Sequence, residues 1–242
     1  MQPLYLRFVF KANREIMKKF LVPVLFLAFS LHTEAQQTVT RSVGSFTGVK
    51  AAEGIDVYLK KGTKESVRVE TDGISPDRVV TEVSGNSLKI HMREGNRGKV
   101  EVRVYVDYVN LDKLSVSSAA TMSAEGPIHS KTLDINASSA GDMKITVEAE
   151  TVRVSASSAG EIQIKGKATS VTADASSAGE VDAYDLQAQS VVAEASSAGS
   201  VQVYVTENLT AQASSGGDVR YRGSPDKSIT NSSSGGSVKK TN

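Results

Sequence analysis

The sequence predicts an all-β protein: a single-stranded right-handed parallel β-helix, or solenoid, with coils of about 19–20 residues and an irregular β-rich N-terminal region. Three observations predict this class. A Ser-Ser-Ala-Gly phrase recurs at nearly constant spacing, short runs of alternating apolar and polar residues flank each copy, and the apolar spacing of an amphipathic helix is absent.

The repeat sets the length of one coil. Four exact copies begin at serines 138, 157, 176 and 196, and weaker copies, Ser-Ser-Ala-Ala or Ser-Ser-Gly-Gly, begin at 117, 214 and 233. The steps along the series are 21, 19, 19, 20, 18 and 19 residues. A fixed period near twenty is typical of stacked repeats, in which each unit buries its apolar face against the next. The framework of leucine-rich repeats is missing, and these steps do not fit the multiples of six that hexapeptide helices need. A parallel β-solenoid is therefore favoured.

The residues around one copy of the phrase predict two strands joined by a corner. Val152, Val154 and Ala156 alternate with polar residues before the corner, and Ile162 and Ile164 do so after it. Period-two alternation is typical of strands with one buried face. Each coil is predicted to have two strands, a Ser-Ser-Ala-Gly corner with glycine at a positive φ, and a variable third side. The serines lack a nearby histidine and a Gly-x-Ser-x-Gly context, so their predicted role is structural.

The first 35 residues predict an export signal. Lys18 and Lys19 precede an apolar stretch from Phe20 to Leu31, and residues 33–35 resemble a cleavage site. Met17 is a candidate for the true start. A membrane anchor is the alternative, but about a dozen apolar residues are short for a bilayer. We expect an exported protein of the periplasm, the outer surface or the medium.

The sequence pattern of the remaining chain changes at residue 110. Residues 36–110 are rich in short strands but lack the phrase, and they predict irregular first coils or a β-rich head; residues 111–242 carry the repeats. Without residues 1–35 the chain has 28 − 5 = 23 basic and 27 − 2 = 25 acidic residues. This near-neutral balance gives no electrostatic footprint for nucleic acid. The absence of cysteine excludes disulfides, so the coil stack must supply the stability.

Several segments together resemble a known family. They are Phe46-x-x-Val49, Gly54-Ile55-Asp56-Val57, Leu111-Asp-Lys-Leu114-Ser-Val116-Ser and the Ser-Ser-Ala-Gly copies. This combination is similar to the auto-transporter adhesin family, whose head GIN domain is common in Bacteroidetes. Gly54-Ile55-Asp56 differs from the Gly-Ile-Asn of that name by Asp for Asn. The resemblance implies a right-handed parallel β-helix similar to pectin-lyase-like folds, without their catalytic residues, and a role in adhesion.

The sequence predicts no catalytic residues and no cofactor. Of the two histidines after residue 35, His91 is expected on the outward side of a strand and His129 in a loop beside Pro127. No spacing of His, Cys, Asp and Glu resembles a transition-metal site, and no glycine-rich loop leads from a strand into a helix.

Two sets of residues are candidates for binding. Asp142, Glu161 and Glu180 each follow a corner, so stacking places their carboxylates about 5 Å apart in a row. This row is either a solvated polar edge or a ladder for a divalent cation such as Ca²⁺. Three aromatic residues on successive coils form either a stripe for a sugar or protein partner, or the packed edge of the core. They are Tyr184, Tyr204 and Tyr221.

The function favoured by these features is that of an exported, non-enzymatic interaction module, an adhesin of the cell surface or periplasm. The alternative is a carbohydrate-binding or degenerate polysaccharide-lyase-like protein. The expected partners are a host or cell-surface protein or a glycan, and nucleic acid is excluded. The formation of a homo-oligomer stays open.

Overall fold

The computed structural model describes residues 36–93 and 100–241, so the predicted export signal lies outside the described residues. This part of the chain contains sixteen strands and one short 3-10 helix, Pro76–Arg78, which confirms the all-β prediction. The strands are β1 Gln37–Arg41, β2 Gly48–Ala51, β3 Asp56–Lys61, β4 Ser66–Asp72, β5 Val79–Ser84, β6 Ser87–Met92, β7 Glu101–Tyr108, β8 Lys113–Val116, β9 Thr121–Ser138, β10 Asp142–Ser157, β11 Glu161–Ser176, β12 Glu180–Ala195, β13 Ser200–Ala213, β14 Asp218–Arg222, β15 Lys227–Ser232 and β16 Ser237–Lys240.

Each regular coil is one long strand that bends once. In β10 the odd-numbered Met143, Ile145 and Val147 are buried, and the even-numbered Val152 and Val154 are buried after them. This change of phase occurs across residues 148–151, where the chain passes from one face of the solenoid to the other. The predicted third side is therefore only a four-residue bend, and the two predicted strands of a coil are continuous.

The register confirms parallel stacking at the repeat period. β10 pairs with β11 from Asp142 opposite Glu161 to Ser157 opposite Ser176, an offset of 19 residues. The first face runs in the order β1-β4-β7-β3-β9-β10-β11-β12-β13-β14-β16, and on the second face β5, β6, β2 and β8 precede β9, while β15 pairs with β13. The right hand of the winding stays a prediction.

The irregular N-terminal region contains the first coil of the stack. β2 is parallel to β8, and β3 is parallel to β9, so residues 48–61 occupy both faces like any later coil. An insertion between β3 and β8 contributes β4 to β7. Because β1 and β4 pair antiparallel at one face and β5 pairs antiparallel at the other, this end of the stack finishes in antiparallel strands.

Eight tight turns stack along one edge of the solenoid. In each, two consecutive residues have a positive φ; Ser158 has 51° and Ala159 has 58°. The N–H of Gly160 donates to the carbonyl of Ser157 at 2.9 Å, which is the pattern of a type I′ turn. Backbone hydrogen bonds of 2.9–3.2 Å join the eight turns in a continuous ladder that begins at the N–H of Gly54, which donates to Ser118, and ends at Gly216, which donates to Ser234.

The prediction that the phrase's glycine takes the positive φ is wrong. Gly141, Gly160, Gly179 and Gly199 have no positive φ, which falls instead on the serine and alanine before them. Glycine is required for space, because a Cβ at Gly160 would lie 2.6 Å from the carbonyl carbon and oxygen of Ala137 in the preceding coil. The turn ladder thus brings successive backbones so close that only a residue without a side chain fits.

Candidate functional site

The predicted carboxylate row exists on the outward side of the first face. Asp142 pairs with Glu161, and Glu161 pairs with Glu180. We call the full series the acidic row. It consists of Asp56, Thr121, Asp142, Glu161, Glu180, Ser200, Asp218 and Ser237.

Several carboxylates of the acidic row have a polar or basic partner two residues further along their own or the adjacent strand. Nζ of Lys144 lies 3.5 Å from a carboxylate oxygen of Asp142, and Nε of Arg220 lies 2.8 Å from a carboxylate oxygen of Asp218. The side-chain amide of Gln202 donates to a carboxylate oxygen of Glu180 at 3.2 Å. Within residues 36–93 and 100–241, no three His, Asp or Glu side chains form a group that could hold a metal ion. The row therefore has the features of a solvated polar edge, and cation binding by Asp142, Glu161 and Glu180 stays a prediction.

The predicted tyrosine stripe is wrong in its geometry. Tyr204 lies opposite Gln187 on one side and Arg222 on the other, because the register shifts between Ala183 and Gln187. Tyr221 lies opposite the buried Val203 and packs against the core. Tyr184, Tyr204 and Tyr221 therefore do not form one row, and ligand binding by them stays a prediction.

Tyr184 instead holds the C-terminal end of the chain. Its hydroxyl lies 3.0 Å from Oγ1 of Thr241, and the guanidinium of Arg222 lies 4.1 Å from its ring centroid. The N–H of Thr241 donates to the carbonyl of Tyr221 at 2.8 Å. These contacts favour the packing interpretation of this group.

The two histidines of the described residues each contact one neighbouring group. His91 lies in a strand as expected, and its Nδ1 is 2.9 Å from the carbonyl oxygen of Met92. The prediction of a loop for His129 is wrong, because this residue lies in β9, where it is exposed and its Nδ1 is 3.2 Å from a carboxylate oxygen of Glu148. The His91 contact is with the adjacent residue, whereas the His129 contact joins β9 to the paired strand β10.

An aromatic stack that the sequence did not reveal lies on the outward side of the first face. The rings of Tyr58 in β3 and Tyr105 in β7 stack with centroids 5.1 Å apart and an interplanar angle of 21°. The guanidinium of Arg68 in β4 lies 3.9 Å from the centroid of Tyr105, on the strand opposite to Tyr58. Both tyrosines are half-buried. Three neighbouring strands thus present a cation and two rings in register.

We call the series that contains this stack the tyrosine row. It consists of Arg68, Tyr105, Tyr58, Ser123, Lys144, Gln163, Asp182, Gln202, Arg220 and Lys239. The aromatic part ends abruptly at Ser123, a half-buried residue that lies opposite Tyr58. Among the described residues, Tyr58 stacks on Tyr105 of one neighbouring strand, and the strand on its other side presents Ser123.

Hydrogen-bonding groups flank the pair Tyr58 and Ser123 along the two strands. Oγ1 of Thr121 donates to Asp56 at 2.7 Å on one side of the tyrosine row. On the other side Nζ of Lys60 lies 3.3 Å from a carboxylate oxygen of Glu125, and both of these side chains are exposed. Lys144 follows Ser123 in the row. Tyr58 and Ser123 are therefore bordered by hydrogen-bond donors and acceptors on both sides along the strands.

The second face carries a separate polar groove of about 290 Å³. Asp174 and Glu194 lie side by side in its wall, and Gln212 and Asn231 continue their row. Burial, and then the negative charge of Glu194, raise the pKa of Asp174 above its ordinary value. The ionised form of Asp174 is therefore disfavoured in the folded chain.

Replacing Asp174 by asparagine is expected to stabilise the chain slightly at neutral pH. A raised folded-state pKa means that the folded chain binds the proton more tightly, so the wild type loses stability as the pH rises from 3.8 through that pKa. We expect Asp174→Asn to raise the melting temperature by no more than about 3 °C at pH 7, with no difference below pH 3.8. Asp142→Asn, which removes an ion pair with Lys144, is the control and should give no such gain. An equal gain at all pH values would contradict the electrostatic explanation.

The stacked turns and the two parallel faces define a β-solenoid domain with an outward polar and aromatic face. The chain belongs to the family described as "Putative auto-transporter adhesin, head GIN domain", whose model matches residues 45–225. Gly54, the first residue of the Gly54-Ile55-Asp56 segment, lies in the first turn of the ladder. No curated protein sequence matches the chain.

Solved structures from Bacteroidetes share the fold. A "putative adhesin" from Bacteroides fragilis has a TM-score of 0.76 and 18% identity, over 86% of this chain and 98% of that one. A "putative lipid binding protein" from Parabacteroides distasonis has a TM-score of 0.65 and 19% identity, over 87% and 98%. A "putative adhesin" from Parabacteroides merdae has a TM-score of 0.66 and 16% identity, over 87% and 98%. At these identities the similarity shows the fold alone.

Among residues 36–93 and 100–241, none lies in a helix that is long and apolar enough to cross a membrane.

Proposed function

We propose that this chain is an exported, non-enzymatic adhesion module that presents the first face of its solenoid to a partner at the cell surface or in the periplasm. The single observation that carries the proposal is the Arg68–Tyr105–Tyr58 stack on the outward side of that face. Membership of an adhesin family and the predicted export signal support it.

The stack suits a contact surface for two reasons: the area that its tyrosines offer and the pairing of the strands that carry them. Tyrosine gives a large, amphipathic contact area and loses little conformational entropy on binding. The strands beneath it are paired on both sides, with β7 between β4 and β3, and β3 between β7 and β9. A partner therefore meets a surface that is already ordered, which lowers the cost of association.

The proposal is tested with beads coated with the full chain and exposed to surfaces of mucin, collagen and peptidoglycan. We expect retention on at least one surface and its loss in Tyr105→Ala, which removes the centre of the stack. Tyr204→Ala is the matched variant, because Tyr204 is also half-buried on the first face. Retention that is lost with Tyr204→Ala but kept with Tyr105→Ala would contradict the proposed contact surface.

The rival function is that of a carbohydrate-active enzyme on the same fold. A lyase needs acids and bases gathered in one cleft, whereas the carboxylates of the acidic row are spread along consecutive coils. A glycan array combined with a hydrolysis and lyase screen separates the two functions. Turnover of any polysaccharide by the full chain would overturn the non-enzymatic proposal.

A further inference from the structure

We propose that the open ring face of Tyr58, above Ser123, is a binding site for one pyranose ring of a saccharide. This inference rests on the proposed function and names the chemistry of the partner. It follows from the way in which the tyrosine row ends, from the space at its end and from the groups that border that space.

The row ends as a stack with one layer missing. Arg68, Tyr105 and Tyr58 occupy consecutive strands with ring centroids at 5.1 Å, close to the distance between paired strands. The next strand presents Ser123, which is too small to continue the stack, and the strand after it presents Lys144. Two strand spacings, roughly 10 Å, separate the backbone of Tyr58 from that of Lys144. This is enough for one ring to lie between the two side chains.

The groups around the space match the hydroxyls of a sugar. The C–H face of a pyranose packs on an aromatic ring, while its equatorial hydroxyls need donors and acceptors around the rim. Thr121 and Asp56 border the space on one side, Lys60 and Glu125 on the other, and these two pairs supply both donors and acceptors. Lys60 offsets Glu125, and Asp56 leaves one net negative charge, which disfavours an anionic ligand.

A flat aromatic ligand would use the same ring face but leave this rim unused. A nucleotide brings a phosphate with its base, and the carboxylates of Asp56 and Glu125 beside the site oppose that phosphate. A buried aromatic side chain of a protein partner would desolvate the Lys60–Glu125 ion pair and the Asp56 carboxylate, and it would not replace the hydrogen bonds that these groups make with water. A saccharide satisfies both the ring and the rim.

The test is saturation-transfer NMR of the full chain with cellohexaose, laminarihexaose and mannohexaose as probes, and with AMP as the competing ring ligand. We expect saturation of the ring C–H protons of at least one hexasaccharide. The signal should be lost in Tyr58→Ala and kept in Tyr58→Phe, which retains the ring. In titrations, binding should weaken at least about tenfold in Tyr58→Ala.

The sharpest variant fills the space. Ser123→Tyr adds the missing layer of the stack and should abolish hexasaccharide binding, while its circular dichroism and melting temperature stay near those of the wild type. Gln202→Tyr is the matched control. It adds the same side chain to the tyrosine row, but at a position two coils beyond Gln163 and therefore far from Tyr58, so it should leave binding unchanged. If Ser123→Tyr does not fold, the contrast between Tyr58→Ala and Tyr58→Phe still tests whether the ring of Tyr58 binds the saccharide.

The possible results separate this inference from the function on which it rests. Hexasaccharide binding that survives Ser123→Tyr, binding of AMP alone, or no binding of any hexasaccharide would overturn the sugar site. Bead retention that depends on Tyr105 would in those cases still support the adhesion module. Loss of retention in every assay together with polysaccharide turnover would overturn the proposed function itself.

Discussion

Replacing Gly179 by alanine is expected to lower the free energy of unfolding by about 3 kcal/mol, because the new Cβ has no room in the turn ladder. It would lie 2.4 Å from the carbonyl oxygen of Ala156 and 2.5 Å from its carbonyl carbon. Both atoms belong to the backbone of the preceding coil, so relief requires the two coils to separate. The separation would also strain the hydrogen bonds between neighbouring turns. Urea-induced unfolding followed by circular dichroism measures the effect.

The control for this prediction is another glycine of the same ladder. Gly216 has a φ of 75° and no atom within 4 Å of the point that a Cβ would occupy, and five other turns carry alanine at the equivalent place, with φ between 58° and 60°. Gly216→Ala should therefore change stability by no more than about 1 kcal/mol, since left-handed strain and the lower entropy of the unfolded chain offset each other. Equal effects of the two substitutions would contradict the steric explanation for the glycine at Gly179.

The fold could be predicted from the repeat, but the reason for its glycine could not. Counting serines gives the coil length, and alternation gives the buried sides, because both follow from residue order alone. The type I′ turn places Ser158 and Ala159 at positive φ, although glycine is the residue that favours it. Only the distance between Gly160 and Ala137 of the preceding coil shows what the glycine does.

The candidate site was predicted only where the register follows the repeat. Asp142, Glu161 and Glu180 align because each directly follows a turn. The alignment of Tyr184 with Tyr204 fails because β12 has extra residues between Ala183 and Gln187. Tyr58 and Tyr105 meet across 105 − 58 = 47 residues through an insertion that has no repeat, so nothing in the sequence pairs them. Their outward positions in alternating strands were the only available signal.

Inward and outward positions of the coils are under different physical constraints. Inward positions and turn glycines are fixed by contact between coils, so they repeat and determine stability. Outward positions contact solvent and their neighbours in a row, so they vary and can carry binding. Substitutions such as Ser123→Tyr and Ile162→Ala should accordingly separate binding from stability.

Replacing Ile162 by alanine is expected to destabilise the chain by about 2–5 kcal/mol, the second of the two largest effects. Ile162 is fully buried at 0% exposure and lies in register between Met143 and Val181 of the adjacent coils. The core between the two faces is closed on both sides by hydrogen-bonded backbone, so it cannot collapse to fill the cavity that the substitution leaves. A fall in the urea midpoint of the full chain measures the loss.

Ile229 offers a matched control with the same substitution in a strand of the same solenoid. It is 69% exposed, at an outward position of the terminal strand β15 opposite Thr210. Ile229→Ala should change stability by less than about 0.5 kcal/mol, because surface substitutions remove little buried area. If both variants lost the same stability, Ile229 in the terminal coil would have to contribute as much to the stability of the solenoid as the buried Ile162. A much larger loss in Ile162→Ala would instead locate the stability of the solenoid in its inward rows, which leaves the outward tyrosine row free for recognition.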